Sequence, residues 1–536
     1  MVLANFEIGI IGAGDMGMLY ARRFKQAGYV VNICDTPDRF TELEAKHGHL
    51  GLNILRDGYA VSRRSDFIIY SVPAVNIGRI VEEYGRATKV GAIVAGQTSV
   101  KTPEILAFEK HLPDDVHIVT CHSMHGPNID TKGQPLAIIR HRSDDRHYAM
   151  AVEALGALES RVIYLTYEEH DRITADTQAA THLSFISLGT AWSLQGYYPW
   201  LNPQFISGIN NVKVAMALRI YASKWHVYAG LAIMNPLAKK QLQCYVESMT
   251  TLYKLMVAGK GQEFRDLVHE AADFVFGRER SRKKILLDDD ILDQLSLSQV
   301  PKEQGRANSH LSLLSAAVCW YRMGMSPYDN LICQTPPFRM WLGIVEYLFC
   351  HEGMLEEAIE TALGDRYTQA EDLVFYTAVT GWGQCIELGS FEGYRERFEK
   401  TAEFLSHKLG EGKDLSTMII KKLTDRDEAK WRDVVLEHYF RRFTLSFGDS
   451  SRQVTSTHKF SDCLIPVESE HAAIKAVKVC LSLGDLVNGK AAHMLAQSEY
   501  SSLVYSSAKT LRLDISELYA SGWYFEAGTR SDPPYY

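Results

Sequence analysis

The stretch Phe6–Gly17, FEIGIIGAGDMG, decides the fold. A short apolar run rich in isoleucine passes through Gly12-x-Gly14-x-x-Gly17. It leads into Met16–Ala27, where Met16, Leu19, Tyr20, Phe24 and Ala27 recur at helical spacing before Gly28. Strand, glycine turn and helix in that order open a dinucleotide-binding βαβ unit. Gly12 permits the tight turn, Gly14 lets the backbone approach a pyrophosphate, and Gly17 lets the helix pack close to the strand. Free N–H groups at the helix start then face the phosphates. The glycine pattern alone also occurs in turns that bind no nucleotide. Its context is the stronger signal, because Asp35 closes a second strand, Tyr29–Cys34. A carboxylate there suits the ribose 2′-hydroxyl and favours NAD, whereas Arg39, four residues on, is placed to meet a 2′-phosphate.

Outward from this unit, Phe67–Val72, Ala92–Ala95 and His117–Cys121 are further short apolar runs alternating with helix-like stretches. The rhythm predicts a doubly wound parallel sheet, a Rossmann-type α/β domain over residues 1–165. From residue 166 to 440 long amphipathic patterns take over, as in DRITADTQAATHLSFISLGTAW and NVKVAMALRIYASKWHVYAGLAI, and predict an all-α domain. Asp288–Asp290 reads as a helix start on a solvated surface rather than a metal site. Residues 441–536 form a partly helical tail of no assignable role, entered through the polar linker FGDSSRQVTSTHKFSD.

Composition narrows the function. Among 536 residues, 46% are apolar and 23% charged, and the net charge is −8 with Lys and Arg dispersed. That argues against nucleic acid or an anionic membrane as partner. Nine scattered cysteines without a Cys-x-x-Cys pair read as reduced thiols. No apolar run reaches the ~18 residues of a membrane span. The fold starts at Phe6, which leaves no room for a leader of about 15–30 residues. A cytoplasmic protein is therefore expected.

TCHSMHGP, Thr120–Pro127, places His122 and His125 just after a strand and before a Gly-Pro break. The break excludes two ligands on one helix face, and no third ligand lies at zinc-like spacing. Loops at the carboxyl ends of such strands line the ligand crevice, where a histidine suits general acid–base work. Position alone leaves that role level with a buried structural histidine. Gln97–Ser99 forms a similar loop, and either Thr98 or Ser99 is placed to reach the crevice. Thr102 reads as the cap of a helix starting at Pro103. Asp171, Gln178 and His182 share a helix face by spacing, as do Arg219, Ser223 and His226. Arg219 lies in an apolar stretch and needs an anionic partner if buried. A substrate carboxylate and an internal carboxylate are equally suitable.

GIIGAGDMG, SDFIIYSVPAVNI, GQTSVKTPEI, HSMHGPNIDTKGQPLAII, LTYEEHDRITADTQAATH and LRIYASKWHVYAGLAIMNP together make the chain similar to the prephenate dehydrogenases, most closely the fungal NADP-dependent type of tyrosine biosynthesis. The similarity spans residues 6 to about 440. It implies oxidative decarboxylation of prephenate to 4-hydroxyphenylpyruvate, with arogenate as the alternative substrate. On this resemblance His122 is the catalytic base and Ser99 holds the substrate hydroxyl and the histidine in register. Arg219 binds the side-chain carboxylate, and His182 and Gln178 line the substrate pocket. Gly12, Ala13, Gly14, Asp15, Met16, Gly17, Asp35, Arg39 and Ser71 form the cofactor set. The resemblance favours NADP over NAD and implies a homodimer through the helical domain. A base acting as neutral imidazole predicts activity that falls below about pH 6.5.

Two departures limit the carry-over. Asn128 stands where many bacterial members carry a carboxylate, and the tail does not read as their βαββαβ regulatory domain. Two rivals remain. A β-hydroxyacid dehydrogenase of the 6-phosphogluconate type needs a lysine in the helical domain, for which Lys213 is off the Arg219 face. A non-catalytic nucleotide sensor would have no need of Ser99, His122 and Arg219 together.

Overall fold

The computed structural model describes residues 5–419 except 128, 207, 281–284, 288–291, 293–296 and 330–334. Asn128, Asp288–Asp290 and the tail 441–536 lie outside the described residues. The described residues all belong to one compact unit, Met1–Ser446.

The strands are β1 (Glu7–Ile11), β2 (Val30–Cys34), β3 (Asn53–Ile54), β4 (Phe67–Tyr70), β5 (Ile93–Gly96), β6 (His117–Ser123), β7 (Pro135–Arg142) and β8 (Arg161–Tyr164). They form one sheet in the order β3-β2-β1-β4-β5-β6-β7-β8. β1 to β6 run parallel. β4 and β5 are buried along their whole length, so FIIY and IVAG carry no polar alternation. α1 (Asp15–Gln26), α2 (Phe40–His47), α3 (Gly58–Arg64), α4 (Ala74–Tyr84), α5 (Thr102–His111) and α6 (Asp145–Leu155) cover the two faces. Two separate apolar clusters lie under them, one around Tyr20, Phe24 and Phe67, the other around Tyr70, Ile77 and Phe108.

The sheet departs from the parallel expectation at its far edge. β7 pairs antiparallel to β6, and β8 runs parallel to β7. A parallel pair needs a long crossover, usually a helix, and the described residues of Met124–Gln134 supply none. β7 keeps β6 extended through Ser123, with His122 opposite Ala137. His122 is thus the penultimate residue of a strand rather than part of the loop that follows it.

Helices follow from α7 (Tyr167–Thr174): α8 (Ala180–Gln195), α9 (Ile209–Tyr221), α10 (Trp225–Met234), α11 (Pro236–Val257) and α12 (Gly261–Phe276). After residue 300 come α13 (Leu311–Arg322), α14 (Pro336–Cys350), α15 (Glu352–Gly364), α16 (Arg366–Glu387) and α17 (Phe391–Phe404). Their shared core is continuous, with Trp192, Trp320, Trp341 and Trp382 fully buried. The architecture is a Rossmann-like dinucleotide-binding domain followed by an all-α domain. No described helix is long and apolar enough to cross a membrane.

Two helix faces expected from spacing do not exist. A π segment, Ala175–Ala179, joins α7 to α8. Its extra residue turns everything downstream by roughly 100°, one residue's rotation. Asp171 therefore leaves the face of Gln178 and His182. α9 ends at Tyr221 and α10 starts at Trp225, so His226 sits on a different helix from Arg219. Ser223 turns its hydroxyl back onto the Arg219 carbonyl at 3.0 Å.

Candidate active site

The chain order of the sheet reverses between β1 and β4, which opens a crevice outside their carboxyl ends. The glycine loop lies there. Gly12 has φ +112°, and a Cβ on it would sit 2.2 Å from the Ser71 carbonyl oxygen. A Cβ on Gly17 would sit 2.0 Å from the Gly12 oxygen. Both positions demand glycine because backbone passes that close. Gly14 caps α1, and a Cβ there would meet no protein atom within 4 Å. Open space before a helix N-terminus fits a pyrophosphate.

The remaining cofactor candidates are distributed around this loop. Asp35 Oδ2 accepts from the Ala13 amide at 2.8 Å and from Arg39 Nη1 at 2.9 Å. Its Oδ1 accepts from the Thr36 amide at 2.8 Å. The carboxylate is thus partly neutralised and held against the loop, with a guanidinium beside it, a setting that suits a 2′-phosphate. Ser71 gives its hydroxyl to Gln97 Oε1 at 2.7 Å, so its carbonyl rather than its side chain supports the loop. Asp15 is exposed and pairs with Lys224 Nζ at 2.9 Å, while Met16 is half-buried. Lys224 precedes α10, and Gly230 of α10 rests on Ala74 of α4. The helical domain therefore closes one side of the crevice.

The Ser99 loop is built on a buried ion pair. Lys101 Nζ bonds Glu104 Oε1 at 2.9 Å, with both side chains fully enclosed. It also donates to the Gly96 and Cys121 carbonyls and to the Thr120 hydroxyl. Glu104 Oε2 takes the Thr98 hydroxyl at 2.6 Å. Thr98 is thereby turned into the protein, which leaves Ser99 half-buried with no hydrogen-bond partner among the described residues. Thr102 is not the expected cap. It lies inside α5, and its hydroxyl donates to Asp171 Oδ2 at 2.6 Å.

His122 is buried, with Nδ1 2.8 Å from Nε2 of His170. His170 Nδ1 lies 2.9 Å from Asp171 Oδ1. His170 was not among the residues singled out by the sequence. Its only sequence signal was its place before Asp171 in EEHD. Burial, then electrostatic opposition from the neighbouring His170, Lys101 and His125 to a second positive charge, pull the His122 pKa well below the histidine range. The sequence expectation of a decline beginning near pH 6.5 is corrected accordingly. The imidazole stays neutral to lower pH and is protonated as pH falls through that depressed value. A kcat/KM profile is expected to stay flat through pH 6.5 and to fall only on its more acid side; a limb at or above 6.5 would contradict it.

Other candidates present unpaired polar atoms. Gln97 Nε2, His125 Nε2, Gln178 Nε2 and His182 Nδ1 are buried without a hydrogen-bond partner among the described residues. Such atoms are costly to bury and commonly mark ligand contacts. Burial pushes the His182 pKa down to about 3, and its ring packs edge-on to Tyr228. Arg219 donates to the hydroxyls of Ser416 at 3.3 Å and Thr417 at 3.0 Å. No carboxylate lies within ion-pair distance of it among the described residues, so the internal Arg–carboxylate bridge is not found there. Lys213 lies elsewhere. It bonds His310 Nδ1 at 2.8 Å and lines a cavity of about 40 Å³ with Asp372, Glu371 and Trp192, and none of His122, Ser99 or Arg219 borders it.

Residues 20–135 match the family model described as prephenate dehydrogenase, nucleotide-binding domain. Residues 179–425 match the one described as a 6-phosphogluconate dehydrogenase C-terminal domain. The chain is 47% identical over 423 residues to a probable NADP-dependent prephenate dehydrogenase of Schizosaccharomyces pombe, covering 78% of this chain and 98% of that one. It is 45% identical over 443 residues to the NADP-dependent prephenate dehydrogenase of Saccharomyces cerevisiae, covering 80% and 97%. A probable arogenate/prephenate dehydrogenase of Methanocaldococcus jannaschii is 24% identical over 283 residues, covering 52% and 63%. The glycine loop, the Ser99 turn and His122 all lie at the carboxyl ends of strands of one sheet, and this extent of identity means that the chain belongs to the prephenate dehydrogenase family.

Proposed function

We propose that this enzyme oxidises prephenate with NADP in tyrosine biosynthesis, with His122 as the base, Ser99 as its partner on the substrate hydroxyl and Arg219 as the carboxylate site. The observation that carries the roles is the set of groups left for a ligand among the described residues: a neutral imidazole, a hydroxyl without a partner there, and a part-buried guanidinium with only hydroxyl partners there. In this reading Gln178 and His182 line the substrate pocket, which is supported by Gln178 Nε2 and His182 Nδ1 being buried without a hydrogen-bond partner among the described residues.

NADP, when bound, would supply the hydride acceptor for the ring carbon bearing the hydroxyl. His122 takes the hydroxyl proton, the carbonyl that develops lets the ring carboxylate leave as CO2, and aromatisation drives the sequence downhill. The protein's task is to position groups and remove one proton. Gly12, Ala13, Gly14, Asp15, Met16 and Gly17 would hold the pyrophosphate end, with Ser71 supporting them through its carbonyl, and Asp35 with Arg39 would receive the adenosine ribose and its 2′-phosphate. A homodimer through the helical domain, in the cytoplasm, completes the reading.

Assay of prephenate and arogenate with NADP and NAD tests the reading. Turnover is expected with prephenate and NADP, and its absence would refute it. Arg219→Ala should raise KM for prephenate by about 10²-fold, the loss of a charge-assisted pair in a partly desolvated site, with KM for NADP unchanged. An unchanged prephenate KM would remove Arg219 from the substrate.

A further inference from the structure

Asp171 is surrounded by donors. Oδ1 receives the Lys101 amide at 2.7 Å and faces His170 Nδ1 at 2.9 Å. Oδ2 receives the Thr102 amide at 2.8 Å and the Thr102 hydroxyl at 2.6 Å. Burial pushes the Asp171 carboxyl up, but the bonds from His170, Thr102 and the Lys101 amide outweigh it and hold the pKa below the carboxylate range. An ionised carboxylate only accepts, so His170 must carry its proton on Nδ1. Burial also lowers the His170 pKa despite Asp171, so that ring is neutral and its Nε2 has a lone pair. The neighbour 2.8 Å away, His122 Nδ1, must then donate. A neutral His122 is left with one free lone pair, on Nε2.

We propose that His170 and Asp171 are positioning residues that hold His122 in the tautomer protonated on Nδ1, so that Nε2 is the atom that takes the substrate proton. The proposal rests on His122 being the base. The proton passes from the substrate hydroxyl to His122 Nε2, while Nδ1–H keeps donating to His170, and it returns to the ring oxygen when loss of CO2 makes that oxygen a phenolate. The new imidazolium thereby gains a charge-assisted bond backed by Asp171. The same carboxylate grips the amide of Lys101, two residues after Ser99. One acidic group from the first helix of the all-α domain thus references both the base and the serine, which come from two different strand ends.

The test compares His170→Leu, His170→Gln and His122→Asn in the full-length enzyme with NADP and prephenate. A glutamine carbonyl is able to accept from His122 Nδ1 where leucine is not. His170→Leu is expected to lose about 10²-fold in kcat with both KM values within about threefold, and His170→Gln to recover to within about tenfold of native. Equal losses in the two variants, or a His170→Leu enzyme within threefold of native, would overturn the proposal. If His122→Asn kept full turnover, the base assignment itself would fall instead. Nitrogen-15 spectra of the native enzyme, with the His122 signals assigned by their loss in His122→Asn, need no His170 variant to fold. They should show a protonated Nδ1 and a bare Nε2 on His122, and the reverse tautomer overturns the proposal.

Discussion

Replacing His122 with asparagine is expected to lower kcat by about 10³-fold or more, near the upper range for loss of a general base. An amide cannot take up a proton near neutral pH. Binding should survive. The glycine loop is built by Gly12, Gly17 and the Ser71 carbonyl, none of which touches His122, and Arg219 lies on α9. NADP affinity by fluorescence and prephenate KM should therefore change by no more than about threefold. Steady-state kinetics decide it, and turnover within tenfold of native would remove His122 from the chemistry. The second large effect concerns stability. Lys101→Met would leave the Glu104 carboxylate enclosed without its cation, and breaking a buried pair from one side typically costs about 3–5 kcal/mol. Because domains are stable by only about 5–15 kcal/mol, the denaturant midpoint should drop steeply. A double variant, Lys101→Met with Glu104→Gln, should regain part of the loss by removing the stranded charge. A loss below about 1 kcal/mol in the single variant would mean the pair holds nothing in place.

The parts of the fold legible in the sequence were those whose cause is local. A glycine turn needs particular residues within a dozen positions, and buried strands announce themselves as β-branched runs. Both were read close to their observed limits. Elements set by distant partners were not legible. β7 takes its place by pairing with β6, and its antiparallel sense fits a short connection whose described residues hold no helix. His170 is 48 residues from His122, and nothing in EEHD states that their rings meet. Thr102 looked like a cap because the cap rule considers only its own helix. The donors at the start of α5 are instead satisfied by Asp171, 69 residues on. The shared faces of Asp171 with His182, and of Arg219 with His226, failed for one reason: spacing arguments assume an unbroken α-helix, and a π segment or a three-residue break resets the count.

The extra residue in Ala175–Ala179 allows one rod to obey two different phases. Upstream, α7 is keyed to the sheet through His170 and Asp171, and its rotation is dictated by the strand that carries His122. Downstream, α8 is keyed to the helical core, where Phe185, Ile186 and Trp192 must point inward. An uninterrupted helix would link these two rotations rigidly, and an error at one end would be imposed on the other. The surplus residue uncouples them, so substitutions that repack the helical core need not detune the histidine pair.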